Sequence, residues 1–229
     1  MNTILFALFM TFFTMVSPPS GHASTIDFET IPGGIPIDGL AITNQFKATL
    51  GVTFSMFGGG SPVLAEVGDP LTAFVGYGSN DQPAPGVDAG SYFLIGDGKL
   101  GDPPKPLIVT FTNPVAAASG ILLDIDGNEA FRIQARGAND QNILGVIDLV
   151  PNGSANGSAS PWSFIHTSAD IYSIRIEYTG TKPKGVGWAF DNLSSSVPYS
   201  APVPEPATML LLGTGIAGLI ATRRRKQQV

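Results

Sequence analysis

Short runs of strand-forming residues, separated by turn residues, fill this chain between residues 24 and 198. In the run 171–178, Ile174 and Ile176 alternate with Arg175 and Glu177, a period of two that is typical of a half-buried strand. No segment of this region shows the 3.6-residue apolar period of a capped amphipathic helix. The predicted strands are Thr25–Phe28, Gly51–Phe57, Ala73–Tyr77, Ser91–Ile95, Leu107–Phe111, Ile121–Ile125, Ala130–Ala135, Ile143–Val150, Trp162–Ile165, Ile171–Tyr178 and Val186–Phe190.

This alternation of short strand-forming runs and turn residues predicts an all-β domain. So many short strands in one domain favour an antiparallel β-sandwich of the jelly-roll type. A β-barrel or a β-helix stays open, although the chain has no repeat of fixed period. Asp126-Gly127-Asn128, between the runs 121–125 and 130–135, predicts a tight hairpin that joins two neighbouring strands.

Charge and composition exclude several classes of function. The chain has a net charge of −6, and its C-terminal basic cluster masks a more acidic middle, so the domain lacks the basic stripe that nucleic acids require. Cysteine is absent, which excludes a disulfide scaffold, a thiol nucleophile and cysteine-ligated metals. The two histidines, His22 and His166, are too few for a histidine-rich zinc site.

The N-terminus reads as a secretory signal peptide, residues 1–23. An apolar run over 4–16 has the length of a signal core, and Gly21-His22-Ala23 places small residues at the cleavage positions. The first three residues carry no Lys or Arg, so an uncleaved anchor is the alternative. Cleavage after Ala23 would leave an ectodomain over 24–198.

The C-terminus is built in three parts. Residues 199–206 form a Pro-rich stalk, residues 207–222 form an apolar segment predicted to be a single transmembrane helix, and residues 223–229 form a basic tail. Sixteen residues span about 24 Å as a helix, which is short for a bilayer. The cluster Arg223, Arg224, Arg225 and Lys226 predicts a cytoplasmic stop, which places the ectodomain outside. A plain tail anchor is the alternative interpretation.

The order of Pro204-Glu205-Pro206, a Gly-containing apolar segment and an Arg-rich end resembles the PEP-CTERM sorting signal of Gram-negative bacteria. Proline cannot continue a strand or sit within a helix, so the motif is predicted to be extended and accessible. The resemblance implies recognition by an exosortase, a membrane-anchored precursor in the inner membrane, and transfer to the cell surface or the extracellular matrix.

The middle of the chain resembles the carbohydrate-binding-like β-sandwiches that accompany this signal. The short motifs that carry the likeness are Ile26-Asp27-Phe28-Glu29, Gly51-Val52-Thr53-Phe54, Phe111-Thr112-Asn113-Pro114-Val115 and Ala189-Phe190-Asp191-Asn192-Leu193. Many such sandwiches hold a structural Ca²⁺ between acids of the first and last strands. The resemblance therefore implies Asp27, Glu29, Asp191 and Asn192 as ligands, provided that those strands pair. Solvated acids and a capped last strand are the alternative.

Three other places in the sequence contain candidate catalytic, metal-ligating or ligand-binding residues. Asp124 and Asp126 enter a tight turn, which favours turn formation or cation ligation over paired acid–base catalysis. His166 has no nucleophile motif beside it and is expected to be an exposed residue at a strand end. Trp162 adjoins a polar loop and is the ring best placed to stack on a sugar, although a buried core position is favoured over this ligand-binding role.

The sequence therefore predicts an exported, non-enzymatic surface protein. Its ectodomain is expected to bind carbohydrate or matrix polysaccharide. A structural matrix or biofilm protein without a specific ligand is the alternative, and a glycoside-acting enzyme using two of the acids comes third.

Overall fold

A computed structural model describes residues 25–68, 83–96, 103–151 and 157–196. These residues form strands and one short helix: β1 (Thr25–Ile26), α1 (Lys47–Leu50), β2 (Val52–Met56), β3 (Val63–Glu66), β4 (Tyr92–Ile95), β5 (Leu107–Val115), β6 (Ala117–Leu123), β7 (Phe131–Arg136), β8 (Ile143–Leu149), β9 (Ala159–Ile165), β10 (Ile171–Tyr178) and β11 (Ala189–Ser194). The predicted all-β class is confirmed.

The strands form two antiparallel sheets. Sheet 1 has the order β3-β4-β11-β6-β9, and β1 pairs with β11 beside this path. Sheet 2 has the order β2-β5-β10-β7-β8. Their facing side chains merge into one apolar core, in which Leu122 and Phe190 of sheet 1 join Phe54, Val109 and Ile174 of sheet 2. Two sheets closing over a shared core make a β-sandwich.

Aromatic rings fill the centre of the sandwich. Phe28 is fully buried, and its ring lies 6.0 Å from the ring of Phe46, 5.8 Å from that of Phe54 and 6.4 Å from that of Phe190. Burying one such side chain contributes about 1.5–3 kcal/mol. The chain just after β1 is therefore anchored to both sheets.

The middle of sheet 1 is buried on both faces. A second apolar cluster on its outer face includes Phe93, Ile121, Leu123 and Ala189. As a result every residue of β6 is buried, and its sequence, Ala-Ala-Ser-Gly-Ile-Leu-Leu, has no polar alternation. A strand that is covered on both sides needs none.

The predicted hairpin at Asp126-Gly127-Asn128 is wrong. The turn itself forms, since the Glu129 N–H donates to the Asp126 carbonyl over 2.8 Å. However, β6 pairs with β9 and β11, whereas β7 pairs with β8 and β10, so this turn carries the chain from sheet 1 to sheet 2. Asp124, in the left-handed region at φ 66°, redirects the backbone before the turn is reached.

Other boundaries also differ from the prediction. β3 was not predicted, nor was the four-residue helix α1, which ends at Gly51 with φ 68°. The last strand begins at Ala189 rather than at residue 186 and extends to Ser194. The predicted strand 73–77, the signal peptide, the stalk, the transmembrane segment 207–222 and the basic tail lie outside the described residues. Within the described ranges, no helix is long and apolar enough to cross a membrane.

Candidate functional site

The first and last strands of the described domain pair with each other. β1 runs antiparallel to β11, with Thr25 opposite Ser194 and Ile26 opposite Leu193. This register carries the chain past Ile26 toward Asp191 and Asn192. The condition on which the implied cation site depended is therefore met.

Asp191 is the most unusual group at this junction. Its side chain is fully buried, one carboxylate oxygen accepts the Asn192 N–H over 2.7 Å, and Oδ2 has no hydrogen-bond partner. Burial, together with the negative charges of Asp27, Glu29 and Asp88, raises the pKa of Asp191 to about 9 in spite of the lowering effect of the Asn192 N–H. A buried carboxylate of this kind needs a proton or a cation.

Glu29 is held by backbone donors from a distant segment. Its Oε1 accepts the N–H of Ser91 and, over 2.8 Å, the N–H of Tyr92. The same segment is tied to β11, since the Asn192 amide nitrogen donates to the Asp88 carbonyl over 2.7 Å. Asp88 belongs to the same acidic group, which comprises Asp27, Glu29, Asp88 and Asp191. Sequence reasoning missed Asp88, because it lies more than a hundred residues from Asn192 and follows no motif.

Gly90 passes directly over the Glu29 carboxylate, with φ 58°. We expect Gly90→Ala to destabilise the fold by about 1 kcal/mol more than Gly86→Ala. Both glycines have positive φ and therefore carry the backbone penalty, but only a methyl group at residue 90 overlaps Glu29, whereas nothing lies within 4 Å of residue 86. Urea denaturation of both variants measures the difference, and equal losses would contradict the close approach.

The acidic group alone does not make a coordination shell. In the parts of the chain that the structure describes, no three carboxylate or histidine side chains are grouped closely enough to hold an ion by themselves. Calcium takes six to eight oxygen ligands, including carbonyls and water. A shell here would add backbone carbonyls and the Asn192 amide oxygen to the carboxylates, and the orphaned Oδ2 of Asp191 fits such a role.

The second acidic group, around the turn after β6, is neutralised by the protein itself. The Lys182 ammonium lies 2.6 Å from Glu129 Oε1, which also accepts the Gly187 N–H. Asp124 accepts the Gly157 N–H over 2.7 Å, and burial raises its pKa to about 7. A lysine therefore occupies the place that a bound cation would take, and both carboxylates are engaged in holding loops.

Trp162 does not reach solvent, so it takes the core position that the sequence favoured over a ligand contact. Only 4% of the residue is exposed, and its ring stacks on Phe190 with centroids 6.3 Å apart. β9 begins at Ala159, three residues earlier than predicted, and places Trp162 opposite Gly120, where the missing side chain makes room for the indole. Trp162 is a core residue.

His166 follows β9 and is paired with a neighbouring acid. Its Nδ1 lies 2.7 Å from Asp170 Oδ1, and this hydrogen bond lowers the pKa of Asp170. The side chain lies at the strand end, and 21% of it is exposed.

An exposed aromatic ring lies at the outer face of sheet 2. Phe57, directly after β2, is 49% exposed, and the guanidinium carbon of Arg175 lies 4.3 Å from its ring centroid. On the same face Arg175 pairs with Glu177, and Arg132 donates two hydrogen bonds to Asp148. Sequence reasoning did not single out Phe57 as a ligand contact, although the three glycines that follow it mark an open loop.

Comparisons with known proteins locate the sorting signal. A search of curated proteins found no match. Among solved structures, the chain is similar to the K2 cleaved adhesin domain of Lys-gingipain, with 14% identity, 77% of this chain and 98% of that chain covered, and a TM-score of 0.43. It is also similar to a glycoside hydrolase family 43 arabinoxylan arabinofuranohydrolase from Bacillus subtilis in complex with cellotetraose, with 12% identity, 70% and 28% covered, and a TM-score of 0.34. Both likenesses are too distant to carry an argument.

The C-terminus of the chain matches a known sorting motif over a defined range of residues. Residues 202–226 match the PEP-CTERM protein-sorting motif, and this range contains Pro204-Glu205-Pro206, the apolar segment and the four basic residues after it. The chain thus joins an all-β domain to a PEP-CTERM motif, which supports an exported protein that an exosortase processes and sorts to the cell surface.

Proposed function

We propose that this protein is displayed at the cell surface, or in the matrix around the cell, as a non-catalytic carbohydrate-binding module. The observation that carries the proposal is the sorting motif at 202–226 behind a folded β-sandwich. Before processing, the segment 207–222 anchors the precursor in the inner membrane and the basic tail stays in the cytoplasm. The exosortase then separates the ectodomain from this anchor.

The strand order supports the jelly-roll type of sandwich. Within sheet 1 the order β4-β11-β6-β9 faces the order β5-β10-β7-β8 within sheet 2, so the connections after β4, β5 and β6 each cross to the opposite sheet. β2, β3 and β1 add to the edges and to the middle of this frame. Such sandwiches expose one broad sheet face and a set of end loops for ligands.

The junction of β1 and β11 is the proposed calcium site. Asp27, Glu29, Asp191 and Asn192 hold the ion, which supplies the positive charge that the buried Asp191 carboxylate lacks. Its role is structural, because it joins the start of the domain, the end of the domain and the segment that carries Ser91.

The proposed carbohydrate contact is Phe57 with Arg175 on the outer face of sheet 2. An exposed ring beside charged hydrogen-bond donors is the chemistry that recognises a sugar, with its apolar ring face and its hydroxyl groups. Trp162, buried in the core, has no part in this contact.

Phe57→Ala is expected to weaken binding of the exported protein to the host's exopolysaccharide about tenfold, which corresponds to about 1.4 kcal/mol. Ile165→Ala removes another exposed apolar side chain, 66% exposed against 49% for Phe57, from β9 of sheet 1 and serves as the matched control. Affinity electrophoresis in the polysaccharide measures both variants. Equal binding by Phe57→Ala and the parent would remove this face from the proposal.

A structural matrix protein without a specific ligand is the second candidate. It is favoured by the way charges on the outer face of sheet 2 satisfy one another, as Arg132 with Asp148 and Arg136 with Asp140 do. Absence of any saturable polysaccharide binding would favour this candidate.

A further inference from the structure

The arginines of the sandwich all lie on one surface. Apart from the three in the basic tail, the sequence contains only Arg132, Arg136 and Arg175. Arg132 and Arg136 belong to β7, and Arg175 belongs to the neighbouring strand β10 of sheet 2. They alternate with core residues such as Ile133 and Ile174, so their side chains share the outer face of the sheet. An acidic domain thus gathers its guanidinium groups on a single face.

Arg175 lies at the centre of this face. In the strand register it is opposite Gln134 of β7 on one side and Ile108 of β5 on the other. Arg132 and Arg136 flank Gln134, two residues away in either direction, so both are diagonal neighbours of Arg175. Diagonal neighbours in an antiparallel pair lie about 7–8 Å apart. The three cationic side chains therefore form one group.

Two of the three arginines are engaged by acids of the protein itself. Arg132 donates two hydrogen bonds to the carboxylate of Asp148. Arg136 is buried, and its Nη1 lies 3.0 Å from the carboxylate of Asp140. These two guanidinium groups are held in place and have their charges neutralised locally.

Arg175 is less well satisfied than the other two. Among the described residues its buried Nε has no hydrogen-bond partner, and the Glu177 carboxylate lies 3.5 Å away, beyond the roughly 2.7–2.9 Å of a charge-assisted hydrogen bond. The exposed ring of Phe57 covers its guanidinium. A second cation lies in the same loop, since the Lys105 ammonium donates to the Gly59 carbonyl over 3.3 Å. An aromatic ring is thus placed beside two cationic groups.

A row of hydroxyl groups adjoins this cationic centre. Thr53 of β2, Thr110 of β5 and Ser173 of β10 lie in register across the sheet, two residues along β10 from Arg175. Thr110 is exposed, and the other two are half-buried. A hydroxyl both donates and accepts hydrogen bonds, which suits the hydroxyl groups of a sugar. The ring, the cations and the hydroxyls occupy one continuous surface.

We infer that the ligand of this face is an acidic polysaccharide, whose sugars carry carboxylate groups. The inference rests on the proposed carbohydrate binding and names the class of ligand. A sugar carboxylate pairs with the guanidinium of Arg175, while the apolar face of the sugar lies against Phe57. The next sugars along the polysaccharide bond to the hydroxyl row. A neutral polysaccharide offers no charge to Arg175.

Titration of the exported protein with the host's exopolysaccharide, before and after chemical reduction of its carboxyl groups to alcohols, tests this inference. Reduction keeps the sugar chain and removes its negative charge. We expect the parent to bind the intact polysaccharide at least tenfold more tightly than the reduced form. Arg175→Gln should lower this preference to less than threefold. Lys47→Gln removes one positive charge from α1, at the opposite end of β2 from Phe57, and should keep the preference.

The outcomes separate this inference from the proposed function. Equal binding of the intact and reduced polysaccharides would overturn the acidic ligand and leave carbohydrate binding in place, and so would saturable binding to a host polysaccharide that has no carboxyl groups. A preference that Arg175→Gln keeps, or that Lys47→Gln loses equally, would overturn the role of Arg175, provided that both variants melt at the temperature of the parent. Absence of binding to either form would contradict the carbohydrate-binding role itself.

Discussion

Chelation of calcium is expected to lower the melting temperature of the exported protein by roughly 5–10 °C at pH 8. An ion that binds only the folded state at a hundred times its Kd adds about 2.7 kcal/mol. For a domain of this size, each kcal/mol shifts the melting temperature by about 2–4 °C. The effect arises at Asp191, whose buried Oδ2 has no other partner. Differential scanning calorimetry with calcium and with EDTA measures it.

The calcium effect depends on pH in a defined direction. Without calcium, the pKa of Asp191 is raised from 3.8 to about 9 in the folded state, so the folded protein keeps a proton that the unfolded chain releases. The stability of the calcium-free protein therefore falls as pH rises from about 4 to about 9. Calcium binds the ionised carboxylate and displaces that proton, so the stabilisation by calcium grows across the same window.

The Asp191→Asn variant distinguishes the stabilisation by bound calcium from the cost of ionising the buried carboxyl group. This variant removes the cost of ionising a buried acid, so in EDTA at pH 8 it is expected to melt no lower than the parent. It should also lose the response to calcium. Asp126→Asn, in the acidic group that Lys182 neutralises, should keep that response. A parent protein whose melting temperature is the same with calcium and with EDTA would contradict the calcium site.

Replacement of Pro204, Glu205 and Pro206 by alanine is expected to abolish processing. The unprocessed chain should accumulate in the inner membrane, and the surface form should fall at least tenfold. The three residues lie within the matched sorting motif. Alanine removes both the fixed φ of the prolines and the acidic side chain between them. Cell fractionation and intact-mass measurement report the length and location of the chain.

Pro198→Ala is the control for this experiment. It changes a proline of the same C-terminal region but lies outside residues 202–226, so its processing should match that of the parent. Identical processing of the triple-alanine variant and the parent would show that the motif is not what the exosortase recognises.

Local features of this fold were readable from the sequence. Period-two alternation located β10 from Ile171 to Tyr178 with the bounds that the structure has. The likeness to carbohydrate-binding sandwiches placed Asp27 and Asp191 together, and the pairing of β1 with β11 agrees with that placement.

The pairing between strands and residues far apart in the sequence was harder to predict. Asp126-Gly127 is a genuine turn signal, but a turn does not identify the strands on either side as partners, and here β6 is a strand that is covered on both faces. Trp162 stayed a candidate for a ligand contact beside the favoured core position for a related reason, since its polar neighbours did not reveal that β9 starts at Ala159 and directs the indole inward. The contact of Glu29 with Ser91 spans 62 residues and leaves no local pattern.

The most direct test of the account is a titration of the exported protein with the host's own exopolysaccharide, carried out with calcium and with EDTA. The account predicts saturable binding in calcium and weaker binding in EDTA, because calcium stabilises the folded sandwich that carries Phe57 and Arg175. The absence of saturable binding in calcium, by a protein that calorimetry shows to be folded, would contradict a carbohydrate-binding role.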